Sequence, residues 1–241
     1  MIHDPSAPLL AQNSLDEKFS NREDRLNFVR KVYGIIFAQL LFTSVFIVIP
    51  LSSIDVALWM RKYYGFLIAA IVGQLVTSIA LICCRGLSRK VPTNYVLLGI
   101  FTLCEAYLIG FIAAQYEPYI VLAAAFSTAA ITGAISFYAY TTKKDFTVCG
   151  PMFLVIGLSL CMTTLFIMIF GITTGNYRVA HMVICGICII IFSFYLLFDT
   201  QLIMGGKRYE IEMDDYVLGA IILYTDIITI FLYLLRLFGG K

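Results

Sequence analysis

The chain is 241 residues long, 61% hydrophobic and only 13% charged, with a mean hydropathy of +0.90. Soluble domains carry about 25% charged residues, so this composition excludes an ordinary water-soluble fold and points to the bilayer. A net charge of +2 is too small to suggest a nucleic-acid partner.

Residues 1–31 are polar, with Pro5, Pro8 and charges of both signs. They lack the apolar run behind a basic start that marks a cleavable signal peptide. This segment is expected to be a cytosolic tail, disordered to about Asp16 and followed by an amphipathic surface turn. Residues 32–241 are expected to form one transmembrane domain.

Apolar windows of spanning length follow at Val32 to Ser52, Tyr64 to Cys84, Tyr95 to Ala114, Tyr119 to Tyr140, Val148 to Gly171, Tyr177 to Met204 and Tyr216 to Phe238. A spanning helix needs about 20 mostly apolar residues. In lipid every backbone amide must be satisfied internally, so windows this long without strand alternation are helices. The spacing predicts an all-α polytopic bundle of seven transmembrane helices. The window Tyr119 to Tyr140 is rich in Ala, Ser and Gly, including Ala123, Ser127 and Gly133, which lets neighbouring helices approach closely. Cysteines sit in or at the edges of these runs, and Cys185-Gly-Ile-Cys188 has no second cysteine pair nearby. These thiols read as small hydrophobes rather than a redox or zinc site.

Lys and Arg alternate unevenly between the connections. Lys18, Arg22, Arg25, Arg30 and Lys31 precede the first window; Arg85, Arg89 and Lys90, then Lys143 and Lys144, then Lys207 and Arg208 fall on the same side. The other side carries Arg61, Lys62, Arg178, Arg236 and Lys241. The richer side is expected to face the cytosol, with the N-terminus.

Three acids fall inside the windows: Glu105, Asp199 and Asp226. An ionisable group at membrane depth costs at least about 2.5–3.5 kcal/mol, so it tends to face the bundle interior and to have a role. Glu105 and Asp226 each lie about ten residues into their windows, roughly 15 Å along the axis and too deep to snorkel. Asp199 lies closer to a helix end and would meet Asp226 if its helix continued through Gly205 and Gly206. Tyr195 lies one turn before Asp199, while Thr229 and Tyr233 follow Asp226 at i+3 and i+7. Two facing hydroxyl and carboxylate stripes are expected. Carboxylates in contact at low dielectric share a proton and titrate as a unit, and their oxygens suit transient Ca²⁺. Glu105 either lines a path or hydrogen-bonds within the bundle. Arg85 and Arg89 end the second window on the same side, either as topology signals or as a latch on Asp199.

RKVY at Arg30 to Tyr33, CCRGLSRKVPTNYVLLGIFTLCEA at Cys83 to Ala106, TKKDFT at Thr142 to Thr147, FDTQLIMGGKR at Phe198 to Arg208 and DDYVLGAIILYTDIITIFLYLL at Asp214 to Leu235 together resemble the Bax inhibitor family. The Lifeguard branch is the nearest in pattern. The resemblance implies a seven-helix fold with the last helix central in the bundle. It also implies a di-aspartyl pH sensor for calcium leak at Asp199 and Asp226, residence in endoplasmic reticulum, Golgi or other endomembranes, and suppression of apoptosis. The family arginine that engages the first aspartate falls near Ser88 by spacing, between Arg85 and Arg89. No cofactor is implied beyond calcium as the permeant ion; protons, the lipid bilayer and apoptosis-regulating membrane proteins are the expected partners. An intramembrane aspartyl protease also pairs two aspartates, but it needs GxGD where this chain has Leu-Tyr-Thr-Asp, so no enzyme is expected. A proton-coupled or cation-coupled transporter and a non-conducting scaffold are the competing readings.

Overall fold

The computed structural model describes residues 7–150, 152–153, 155–160, 162–163 and 178–240. Among the described residues there is no strand, and six helices contain stretches long and apolar enough to cross a membrane. They are α1 (Ala7–Ser52), α2 (Tyr64–Cys83), α3 (Thr93–Ala113), α4 (Pro118–Thr141), α5 (Arg178–Met204) and α6 (Tyr216–Gly239). The window Val148 to Gly171 lies partly outside the described residues; within it, residues 152–153, 155–160 and 162–163 are helical. The chain is an all-α integral membrane protein.

Local chemistry sets most boundaries. Pro118 opens α4 at a first-turn position, where its missing N–H costs nothing. At the end of α5, Gly205 and Gly206 take φ of 71° and 72°, a left-handed backbone that glycine adopts without a Cβ clash. The Gly205 N–H closes on the Gln201 carbonyl at 3.0 Å, and the helix stops at Met204 rather than running through the glycines. The N-terminal segment differs from the expected tail. It is helical from Ala7 and continuous with the first span. Between Pro8, in the first turn, and Pro50, near the end, no proline interrupts a sequence rich in good helix formers.

The last helix is the hub. Its most apolar stretch is 67% buried, against 17–39% for the other five spans, and it packs against α1, α3, α4 and α5. Val217, Ala220, Leu223, Tyr224, Ile230 and Leu235 are almost fully enclosed. Helices pack in lipid by close fit rather than by the hydrophobic effect, and small residues supply that fit. A Cβ on Gly219 would meet Ile203 of α5 at 3.4 Å, and one on Gly110 of α3 would lie 2.8 Å from the Phe46 carbonyl of α1. The outer surface is apolar, as on α2, where Ile68, Val72, Val76 and Ile79 stand exposed.

Candidate functional site

Asp199 on α5 and Asp226 on α6 are both 8% exposed and their carboxyl groups are in direct contact. The register of the two helices brings them together without extending α5. Ile203, one residue before the end of α5, sits against Gly219, the fourth residue of α6. α6 therefore begins beyond the point where α5 stops, which moves Asp226 toward the level of Asp199. The sequence singled out this pair, and the structure joins it. Asp226 Oδ2 and the Thr200 hydroxyl are buried and have no hydrogen-bond partner among the described residues. Two adjacent negative charges buried at low dielectric repel strongly and are costly.

The stripe hydroxyls make their hydrogen bonds away from the pair, although Tyr195 stays within electrostatic reach of both aspartates. Tyr195 donates its hydroxyl to the Phe153 carbonyl, across from the stretch that precedes α5. Thr229 donates to the Thr225 carbonyl one turn back, at 2.7 Å. Tyr233 pairs with the Cys188 side chain and stacks on Phe192 at 5.7 Å. Cys185 and Cys188 are buried packing residues, 1% and 0% exposed.

Immediately above the pair, toward the Lys/Arg-rich face, two connections lock together. Gln201, 1% exposed, accepts the Phe146 N–H at 2.9 Å and donates to the Lys144 carbonyl at 3.0 Å. The Lys207 ammonium donates to the carbonyls of Thr142 and Lys144 at 3.2 and 3.1 Å. Asp145 accepts the Thr147 hydroxyl at 2.6 Å, the Thr147 N–H at 2.9 Å and the Arg208 N–H at 3.1 Å. These bonds, led by the Thr147 hydroxyl, hold the Asp145 carboxyl below the usual carboxylate range. TKKDFT and FDTQLIMGGKR thus form one cap. It was not anticipated from the sequence, although Gln201 and Lys207 follow Asp199 within eight residues.

The arginines close a different contact. Arg89 donates from Nε and Nη2 to the two Asp215 oxygens at 2.6 and 2.7 Å, and from Nη2 to Glu212 at 2.5 Å. Asp215, followed by Glu212, pushes the Arg89 guanidinium above its ordinary value. Arg85 lies 3.9 Å from Glu212 across solvent-exposed side chains. Neither arginine engages Asp199. Arg89 instead holds the start of α6, because Asp215 stands at the N-cap position of that helix, within reach of the α2–α3 connection. Ser88 between them is buried and donates to the Arg85 carbonyl.

A second buried polar cluster lies on the opposite side of α6. Tyr224, 0% exposed, meets the Thr43 hydroxyl at 2.8 Å, and Gln39 donates to the Thr102 hydroxyl at 2.9 Å. Glu105 is half-buried and hydrogen-bonds Gln74 of α2, away from the aspartate pair. The i, i+4 spacing of Gln39 and Thr43 was the available signal for this cluster.

Residues 25–241 match the family model described as inhibitor of apoptosis-promoting Bax1. The chain belongs to the Bax inhibitor family. Among its similar proteins, Protein lifeguard 3 of Mus musculus is 35% identical over 224 residues, covering 93% of this chain and 72% of that protein. Protein lifeguard 3 of Homo sapiens is 34% identical over the same coverage. Protein LIFEGUARD 3 of Arabidopsis thaliana is 32% identical over 219 residues, covering 89% of this chain and 85% of its own length. The Bax inhibitor match spans the aspartate pair, the cap above it and the Arg89 contact. It places the chain in a membrane family rather than an enzyme family.

Proposed function

We propose that this Bax-inhibitor-family protein is a pH-sensitive calcium leak channel of endomembranes, with Asp199 and Asp226 as its proton-sharing gate. The observation that carries this reading is the direct contact of two buried carboxyls between α5 and the central α6. While the pair holds a shared proton it carries a single negative charge; loss of that proton adds a second charge inside the bundle. Repulsion then works against the α5–α6 contact, and the same oxygens attract a divalent cation. Among the described residues no three His, Cys, Asp or Glu side chains converge on one point. Calcium would therefore be met transiently by two carboxylates and neighbouring oxygens rather than held as a resident ion.

The richer Lys/Arg face lies in the cytosol in this reading, together with the N-terminus and the cap. Family membership supports an anti-apoptotic role, reached here by lowering stored calcium in endoplasmic reticulum or Golgi. Purified protein in liposomes containing a calcium dye tests the channel reading against a coupled transporter. A leak passes Ca²⁺ down its gradient when no co-ion gradient is imposed. Flux that requires an imposed proton or sodium gradient would establish the transporter instead, and no flux under either condition would favour a scaffold that binds apoptosis regulators.

A further inference from the structure

Cys83 and Cys84 are both exposed, unlike Cys185 and Cys188, which are buried, and Cys104 and Cys149, which are half-buried. Their place in the fold is specific. α2 ends at Cys83, and Cys84 is the joint between it and a short helix over Arg85–Ser88. The Cys84 N–H closes α2 on the Ala80 carbonyl at 3.1 Å, while its own carbonyl accepts the Leu87 N–H at 2.8 Å. The chain therefore turns from spanning to surface at the thiols themselves. Arg85, Arg89 and Lys90 mark the headgroup level within the next turn and a half. Leu87 and Val91 remain 39% and 60% exposed there, an apolar rim at the bilayer edge.

We infer that Cys83 and Cys84 are a paired S-acylation site, taking long-chain fatty acyl groups from acyl-coenzyme A. An acyl thioester lies at the depth where a spanning helix ends, with its chain in the hydrocarbon and its carbonyl at the headgroups, and exposed juxtamembrane cysteines meet it there. The thiolate attacks the thioester carbonyl carbon, the bond from that carbon to the coenzyme A sulfur breaks, and a new thioester forms on cysteine Sγ. Coenzyme A leaves as the thiolate and takes up the proton that cysteine gave up, so no oxidant or reductant is needed. Two chains side by side constitute the double anchor that holds a segment stably at a membrane. The segment they fix carries Arg89, whose contact with Asp215 holds the start of α6. The inference rests on the proposed cytosolic orientation of this face.

The test expresses the full chain in cells and exchanges acyl groups for a polyethylene-glycol maleimide after hydroxylamine treatment, reading mass shifts on a gel. Wild type is expected to show two hydroxylamine-dependent shifts, C83S and C84S one each, and the double variant none, while C149S keeps both. Hydroxylamine dependence on the wild-type protein needs no variant to fold. An unshifted wild type, or a double variant that keeps both shifts, overturns the inference. A membrane-impermeant maleimide applied to intact and permeabilised vesicles separates the two ways of failing. If Cys83 and Cys84 react only from the lumen, the orientation is wrong and the site falls with it. If they react from the cytosol yet carry no acyl group, the orientation stands and the site is refuted.

Discussion

Gln201→Ala removes the side chain that joins the cap to the helix bearing Asp199. Two bonds are lost, the Phe146 N–H to Oε1 at 2.9 Å and Nε2 to the Lys144 carbonyl at 3.0 Å. Their costs differ. The Lys144 carbonyl keeps the Lys207 ammonium at 3.1 Å and so loses one of two partners, about 0.5–1.5 kcal/mol. The Phe146 N–H is left with no acceptor, which costs about 1–3 kcal/mol. Together the substitution weakens cap docking by about 1.5–4.5 kcal/mol, or roughly 10- to 1,600-fold in the local opening equilibrium at about 1.4 kcal/mol per tenfold. Amide hydrogen exchange of the detergent-purified protein measures this directly, because the loss is confined to residues 142–147. Gln201→Glu keeps an acceptor for Phe146 and is expected to lose less protection than alanine. Protection at Phe146 that changes less than about threefold in the alanine variant would refute the idea that Gln201 holds this connection.

Arg89→Ala strands the Asp215 carboxylate, 4% exposed, and is expected to lower the thermal midpoint clearly, whereas Arg85→Ala breaks an exposed pair worth about 0–1 kcal/mol and should leave it nearly unchanged. Gly110→Ala drives a Cβ to within 2.8 Å of the Phe46 carbonyl and is expected to cost about 1–3 kcal/mol by parting α3 from α1, while Gly133→Ala meets nothing within 4 Å and should be neutral or stabilising. Thermal unfolding of each pair in the same detergent checks both contrasts. Asp145→Asn probes the cap electrostatically. Because the Asp145 carboxyl is held low in the folded state, its contribution is complete above the ordinary carboxylate range and vanishes as pH falls through its depressed value. Wild type should therefore exceed the variant in cap protection at neutral pH, and the difference should shrink in strong acid; a difference that grows on acidification would contradict this.

Much of the fold was legible because lipid leaves few options. The bounds of α2 to α6 fall within two residues of the apolar windows, since hydropathy, Pro118 and the Gly205-Gly206 stop all act locally. The aspartate pair was legible for the same reason, as a buried acid in an apolar helix has few ways to be satisfied. Other features depended on tertiary geometry. A threonine in a helix can satisfy itself on the carbonyl four residues back, as Thr229 does, and periodicity cannot separate that from a hydroxyl reaching a neighbour. The target of Arg89 depends on where Asp215 begins α6, which no spacing within the second window encodes. The cap joins residues more than fifty positions apart through backbone groups, which leave no mark on side-chain pattern. The length of α1 was hidden because polarity suggested a tail, while helix propensity operated without regard to polarity.

The aspartate gate is tested most directly by the pH profile of passive Ca²⁺ flux from liposomes containing wild type, Asp199→Asn or Asp226→Asn. Each substitution keeps the shape of the pair but leaves one carboxyl, so no proton is shared and the second negative charge that opens the gate cannot appear. The expected result is a pH-dependent flux in wild type that becomes flat in both variants, with all three proteins unfolding at comparable temperatures. A wild type without pH-dependent flux, or variants that retain the wild-type profile, would contradict the assignment of Asp199 and Asp226 as the gate.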